Sequence, residues 1–551
     1  MKSLPLVALI VLTSVCVLRA DRPNVIFIVL DDVGLGWIPP YAQHLTPEQI
    51  EPEIAEKYRQ NQGHQGAIDL QAHIKAASEC MPELSKLSNN AAIFNRAFAT
   101  AALCGPSRAG ILTGSFQQSW GAYRNKDVDD FGIPADRVVL AEPLKAVGYR
   151  TGVVGKWHVA QQDFRYVEDA WVNDLGQELP VHEHYNGLWP QLSEALKETP
   201  WKTSSKPGQH PLDRGFDYYF GYNSYDDQDY NSRTLWEGHE LYPPRPKGEF
   251  LTDLFNEKAV HFIDDALTDD QPFFLYYAPK TLHGGIRRPP EHYIEKFNTG
   301  NRFTDLYAGH LLALDDGIGK IMSTLRKHGE VNNTLFIFSA DNGCTLYNVP
   351  PYNAPNRGGK GTGWLGGLNV PLIISQPGKV VVGVNDEIAS LADIMPTVLE
   401  TAGAEIPAGI DGKSLLPYLT GHTKEGPRDS LSIASIQSSR WSYCYEANGE
   451  NNKQDAGQVP LYAWHLKGDD LLMLTTEVSP GLYQNLPDGY PAQTLLFNIR
   501  EDRPQRVDAA PSYPEKVEAL SGKIHEYLSE MEVPISSQQE DYRKLLKRTM
   551  P

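Results

Sequence analysis

The sequence predicts an α/β fold: a large, mostly parallel sheet sandwiched by helices, followed by a smaller C-terminal antiparallel sheet with one helix. Three observations carry this prediction. Continuous apolar runs at Val25–Leu30, Phe273–Tyr277 and Leu335–Ser339 have the texture of strands buried on both faces. A helical pattern stands between the last two, with apolar positions spaced by three and four over Asp305–Leu325. From about Gly426 shorter strand candidates precede a single amphipathic helix, the pattern of a separate α+β unit.

The elements follow in order. Lys2, an apolar stretch from Leu4 to Leu18 broken only by Thr13 and Ser14, and Ala20 before Asp21 read as a signal peptide over 1–20. The stretch is short for a bilayer span, which needs roughly 20 apolar residues, and no later segment is long and apolar enough. The chain is therefore expected to be exported, to the periplasm or outside the cell, with no transmembrane segment once mature. A large domain is expected over 21–425 and a smaller one over 426–551.

The strand Val25–Leu30 stops at Asp31-Asp32-Val33-Gly34, and the polar stretch from 39 to 80 reads as a surface insertion. A helix is expected over Met81–Leu87 and a strand near Ala92–Phe98. Ala141–Val147 is a short helix, with Pro143 in its first turn and Gly148 at its C-terminal cap. Thr151–Val154 is a strand leading into Gly155-Lys156-Trp157-His158. Residues 160–250 lack periodicity and read as long loops. Leu335–Ser339 ends in Asp341-Asn342-Gly343, and Val370–Ile374 makes one more strand. In the C-terminal unit, strands are expected over Ser430–Cys444, Leu471–Thr476 and Thr494–Ile499. A helix over Glu515–Met531 follows, with Val517, Leu520, Ile524, Leu528 and Met531 on one face.

The chain has 551 residues, 41% of them hydrophobic, enough for a sizeable core. A net charge of −19 argues against nucleic acid as a partner, because phosphate backbones are held by basic faces. It leaves an anionic small substrate open, since a few cleft cations dominate locally. Of the five cysteines, Cys16 lies in the signal peptide, and the others lack metal-type spacing. A disulfide among Cys80, Cys344 and Cys444 is open.

Open α/β sheets place ligands at the ends of their strands. Asp31 and Asp32 follow one strand, and Asp341 and Asn342 another. These four oxygen donors suit a hard cation such as Ca²⁺ or Mg²⁺, although taken singly such pairs are also ordinary turns and caps. The segment Cys104-Gly105-Pro106-Ser107-Arg108-Ala109-Gly110-Ile111-Leu112-Thr113-Gly114 is more specific, with Cys-x-Pro-Ser-Arg followed by Thr-Gly at fixed spacing.

That segment resembles the signature of the formylglycine-dependent sulfatases of the alkaline phosphatase superfamily. Further pieces resemble the family in order: PNVIFIVLDDVG, MPELSKLSNNAAIFNRAFAT, GYRTGVVGKWH, PFFLYYAPKTLH, NTLFIFSADNG, NRGGKGTGWLGGLNVPLI, ADIMPTVLETAGAEIP and IDGKSLLP. The resemblance implies oxidation of Cys104 to formylglycine by a maturation enzyme. It also implies one Ca²⁺ per chain, Mg²⁺ being the second choice, held by Asp31, Asp32, Asp341, Asn342 and the modified Cys104. One hydroxyl of the hydrated aldehyde would attack the ester sulfur, and loss of the proton of the other would expel sulfate, an exit that a plain nucleophile lacks. Lys156 and Lys360 would grip sulfate oxygens, and Arg108 would steady the aldehyde hydrate and the metal ligands. His158 would relay a proton, and His283 would protonate the leaving alcohol. Trp37, Leu365 and Asn369 depart from the family's pattern, which puts the support around the site and the substrate subsites in question.

The expected activity is that of a sulfuric ester hydrolase acting on a sulfated carbohydrate. Aromatic residues in loops (Trp171, Trp189, Trp201, Tyr218, Tyr219, Trp236) suit sugar stacking, and Arg287 and Arg288 suit further sulfates. Two alternatives stay open: a phosphodiesterase or phosphonate monoester hydrolase of the same superfamily, and a non-catalytic protein that binds sulfated glycans.

Overall fold

The first apolar run forms the strand Asn24–Leu30, buried along its whole length near the middle of a ten-stranded sheet. The computed structural model describes residues 22–50, 68–163, 204–224, 229–230, 235–242, 249–280, 282–284, 286–345, 349–436, 461–475 and 493–532. From one edge the sheet runs Gly383–Asn385, Ala92–Phe94, Leu372–Ser375, Thr334–Ala340, Asn24–Leu30, Phe273–Ala278, Arg150–Lys156, Tyr218–Tyr222, Trp236–Glu237 and Glu240–Leu241. The four junctions from Thr334–Ala340 through Tyr218–Tyr222 are parallel. Both faces of such strands are covered, which is why they read as unbroken apolar runs.

Two long helices, Leu251–Thr268 and Arg302–His328, pack on each other, and the first also lies against the Phe273–Ala278 and Arg150–Lys156 strands. The second begins where the Asn301 side chain accepts from the backbone N–H of Phe303 and Thr304. It ends at left-handed Gly329 after Arg326, Lys327 and His328. Its polar start, basic last turn and glycine stop are those a helix of this length requires. A second, four-stranded antiparallel sheet comprises Ser430–Ile436, Leu461–Lys467, Asp470–Thr475 and Gln493–Asn498. One of its faces joins Phe98, Ala102, Leu365 and Leu368 in a shared core through Trp464, Leu466 and Leu471. The other is covered by Leu520 and Ile524 of the helix Pro514–Ser529, with Val517 and Leu528 at the margin.

The large sheet is mostly parallel, as expected, although Leu372–Ser375 runs antiparallel to both neighbours, as do the strands at the far edge. Other expectations need correction. The stretch from 39 to 80 is only partly a surface insertion. Pro39, Pro40 and Ala42 are buried, and the helix Leu70–Glu79 buries His73, Ile74, Ala76 and Ala77. Its Gln and Glu residues lie on the outer side, so composition hid an amphipathic helix. Within 160–250 the strand Tyr218–Tyr222 extends the main sheet. Tyr219 and Trp236 are buried in the core, and Tyr218 stacks on Phe262, so these three are packing residues. Trp171, Trp189 and Trp201 lie outside the described residues. Arg288 makes a bidentate ion pair with Glu291 at the surface, with both side chains more than half exposed, so its expected approach to further sulfates is neither met nor opposed. Cys80 and Cys344 are buried free thiols, and Cys444 lies outside the described residues.

Candidate active site

Strand register builds the site. Leu30 pairs with Ala340, so Asp31 and Asp341 leave adjacent parallel strands at one level, and the Asp341 N–H donates to Leu30 O at 3.0 Å. Two strands over, Arg150–Lys156 ends at the same edge, with Gly155 opposite Ala278. A Cβ on Gly155 would lie 2.1 Å from Ala278 O, so only glycine lets the chain deliver Lys156 here. The helix Cys104–Thr113 brings Cys104 in at its first position and is buried on every residue. Asp32 (φ 59°) and His158 (φ 53°) hold left-handed backbones. Such conformations cost about 1–3 kcal/mol each in non-glycine residues and concentrate at functional sites.

Side chains from these elements interlock. Arg108, fully buried, donates from Nε to Asp341 Oδ2 at 2.9 Å, places Nη2 3.7 Å from Asp31 Oδ1, and reaches the Lys156 carbonyl from Nη1 at 3.3 Å. Lys156 Nζ donates to both oxygens of Asp31, at 3.0 and 3.2 Å. Lys360 Nζ donates to Asp32 at 2.8 Å and lies 3.1 Å from Cys104 Sγ, which is itself 3.6 Å from Asp32 Oδ1. Asn342 Nδ2 donates to Asp32 Oδ1 at 2.8 Å. A ring nitrogen of His283 clusters with Asp31 and Cys104. His158 has Nε2 3.4 Å from Asp129 Oδ1. All ten residues expected from the sequence are thus gathered at one end of the sheet. Lys280, three residues before His283, faces elsewhere and pairs with Asp229 at 2.8 Å.

The electrostatics follow from packing three carboxylates with three cations out of water. Burial opposes ionisation of Asp31, but Lys156, His283, Arg108 and Lys360 overcome it and hold its carboxyl well below the usual range. Asp32 is lowered in the same way, chiefly by Lys360. Asp341 goes the other way, pushed up to about 6 by burial and by its two carboxylate neighbours against the pull of Arg108. Burial pushes the Cys104 thiol well up although Lys156 and Lys360 oppose it, so the unmodified side chain stays protonated. Both histidines are held neutral by burial, His283 at about 3 and His158 at about 4, with Lys156 adding to the effect.

The donor set fits a hard divalent cation. Asp31, Asp32, Cys104 and Asp341 each offer a ligand atom, all within 4.8 Å of one another. Asn342 Oδ1 is buried without a hydrogen-bond partner. Clustered carboxylate and amide oxygens, one of them unsatisfied, are what Ca²⁺ or Mg²⁺ binds. A dication among three balanced ion pairs would leave the centre positive and so receptive to an anionic ester.

Two neighbours escaped the sequence reading. Asp129 sits on a short helix where Asp-Val-Asp-Asp reads as a solvated face. Tyr276, beside Arg108 and pushed up to about 12 by burial, reads as part of an apolar strand. The departures at Trp37, Leu365 and Asn369 are structural. Trp37 Nε1 donates to Val349 O, Leu365 joins the core under the second sheet, and Asn369 donates to Asn95 O and Ala97 O.

A buried carboxylate cluster at the strand ends, crossed by two lysines and an arginine and facing a helix-borne cysteine, defines a hydrolase of anionic esters. The profile of the Sulfatase family matches residues 23–404, and the chain belongs to that family, the enzymes that hydrolyse sulfate esters. It is 28% identical over 538 residues to the uncharacterized sulfatase YdeN of Escherichia coli K12, covering 96% of this chain and 89% of that protein. Bovine arylsulfatase A is 27% identical over 503 residues, covering 88% and 82%. The fold superposes on the crystal structure of Ps i-CgsB in complex with k-i-k-neocarrahexaose with a TM-score of 0.67 at 21% identity, covering 96% of this chain and 98% of the other. Among the described residues no helix is long and apolar enough to cross a membrane.

Proposed function

We propose that this sulfatase is an exported, calcium-dependent enzyme that removes sulfate from a carbohydrate, with Cys104 converted to formylglycine by a maturation enzyme. The observation that carries the reading is the position of Cys104, 3.1 Å from Lys360 Nζ and 3.6 Å from Asp32 in a cluster of four potential ligands, with its own thiol held protonated. A buried thiol of that kind is a poor nucleophile and a poor ligand as it stands. As a hydrated aldehyde, formylglycine supplies two hydroxyls on one carbon, one to attack sulfur and one whose deprotonation releases sulfate. A divalent cation held by Asp31, Asp32, Asp341 and Asn342 supplies Lewis acidity toward the sulfate oxygens.

The chain's own residues do the rest. Lys156 and Lys360 turn their ammonium groups from carboxylates toward the sulfate oxygens, in a centre dry enough for each contact to count. Arg108 keeps Asp341 and Asp31 ionised and in register. His158, neutral, accepts a proton, and Asp129 beside Nε2 stabilises the imidazolium that results. His283 is neutral in the free enzyme, and an anion arriving beside it favours its protonated form. The proton needed by the departing alcohol is thereby taken up with the substrate.

The carbohydrate assignment draws support from the fold-related protein solved with a neocarrahexaose. The test is inorganic sulfate released from a panel of sulfated glycans with added Ca²⁺, alongside the mass of the peptide that contains Cys104. Release from one glycan class, abolished by chelation, with the peptide mass shifted by loss of the elements of hydrogen sulfide and gain of one oxygen, is expected. A converted, metal-loaded protein that releases sulfate from aryl esters but from no glycan would overturn the substrate. Export predicts a mature chain beginning near Asp21.

A further inference from the structure

The loop that carries Lys360 is a closed unit. The Thr362 hydroxyl donates to Gly359 O at 2.6 Å and accepts from Gly359 N at 3.1 Å, so Lys360 sits on the tip of a self-bonded turn. Such a turn keeps its own shape, and its position is set by what it is tied to. Two ties come from the site itself: Lys360 N donates to Cys344 O at 3.0 Å, and Gly361 N to Ala102 O at 2.8 Å, two residues from each end of the chemistry. The third comes from the second sheet. The Tyr462 hydroxyl donates to Gly361 O at 2.8 Å, and its ring lies so close over Gly363 that a Cβ there would meet it at 2.5 Å. Gln505, buried beyond the same sheet, accepts from Leu365 N through Oε1 at 2.9 Å, and its own carbonyl accepts from Arg357 Nη1 at 3.3 Å. The loop is therefore gripped by the C-terminal sheet and the segment that follows it.

We infer that the C-terminal sheet belongs to the catalytic machinery as a brace, and that Tyr462 is a positioning residue for Lys360. The inference rests on the reading of Lys360 as a ligand of the sulfate group. Lys360 reaches Asp32 and Cys104 from one side of the centre, and its side chain is 14% exposed, unlike the sealed Lys156. A lysine on a flexible stem holds an anion only if its backbone is fixed. The ring of Tyr462 packs the glycine-rich turn, and its hydroxyl pins the peptide next to Lys360.

The test is a double-mutant cycle of Tyr462→Phe and Lys360→Ala in the full chain, read as the dissociation constant for inorganic sulfate and as KM and kcat on an aryl sulfate. Phenylalanine keeps the ring over Gly363 and removes only the hydroxyl, so the variant is expected to fold, which thermal unfolding checks. Loss of one hydrogen bond of ordinary net strength predicts sulfate binding weakened about five-fold in Tyr462→Phe. In the Lys360→Ala background the same change has no further effect on sulfate binding. The brace is overturned if Tyr462→Phe binds sulfate as the parent does, or if its effect persists undiminished without Lys360. If Lys360→Ala alone binds sulfate unchanged, the assignment of Lys360 falls, and the brace with it.

Discussion

Replacing Arg108 with methionine probes the balance of charge in the centre. The methionine fills most of the arginine's volume and removes its charge. Arg108 is completely buried, and its guanidinium holds Asp341 at 2.9 Å and approaches Asp31 at 3.7 Å. Breaking a buried ion pair from one side costs about 3–5 kcal/mol, because the carboxylate left behind is unsolvated. The sign of the pH dependence follows from Asp341, already raised to about 6 by burial and by Asp31 and Asp32 while Arg108 restrains it. Without Arg108 that carboxyl rises further above its unfolded value. A group with a raised folded pKa binds protons on folding, so stability returns as pH falls through the folded value. Urea unfolding with metal chelated is therefore expected to show the full penalty near about pH 7.5 and a much smaller one near about pH 5. Added Ca²⁺ is expected to reduce the penalty at the higher pH, since a cation again faces the carboxylates. A penalty under about 1 kcal/mol, or one indifferent to both pH and Ca²⁺, would show that Arg108 does not balance these buried carboxylates.

Other perturbations follow from the same geometry. His283→Ala is expected to slow alkyl or sugar sulfates by about 10²–10⁴ and a nitrophenyl sulfate far less, because only the poor leaving group needs a proton; equal losses on both would remove its acid role. Asp229 accepts from Lys280 Nζ at 2.8 Å and from Arg287 N at 2.6 Å, closing the loop that carries His283. Asp229→Asn is accordingly expected to reproduce the leaving-group selectivity of His283→Ala at about a tenth of its size, and unchanged selectivity would contradict this. Away from the site, His210 accepts from Leu212 N through Nδ1, and burial with His239 alongside pushes it down to about 4. A lowered folded pKa gives stability that is complete above the unfolded value and lost as pH falls toward the folded one. His210→Asn, which keeps an acceptor, is expected to remove at most about 3 kcal/mol of that acid-side loss. A stability curve parallel to the parent's between about pH 6.5 and 4 would show that His210 carries none of it.

The parts of the fold read from sequence were those whose burial is symmetric. Val25–Leu30, Phe273–Tyr277 and Leu335–Ser339 are covered on both faces, so their apolar runs announced strands in nearly the right places. Tyr218–Tyr222 has a glycine and three tyrosines between polar segments and carried no such run. The antiparallel course of Leu372–Ser375 is fixed by pairing with Thr334–Ala340, information that lies in no local window. The Leu70–Glu79 helix was hidden by its polar outer face. At the site, residues inside motifs were legible because their spacing is tied to strand ends. Asp129 and Tyr462 act through tertiary contacts alone, the one 3.4 Å from His158 and the other on a different sheet.

The most direct test compares release of nitrophenol from matched nitrophenyl sulfate and nitrophenyl phosphate by the parent protein and by Cys104→Ala, both loaded with Ca²⁺. The parent is expected to prefer the sulfate ester, and the variant, still folded, to lose turnover on it entirely. Faster turnover of the phosphate ester by the parent, or sulfate ester turnover that survives loss of Cys104, would contradict that expectation.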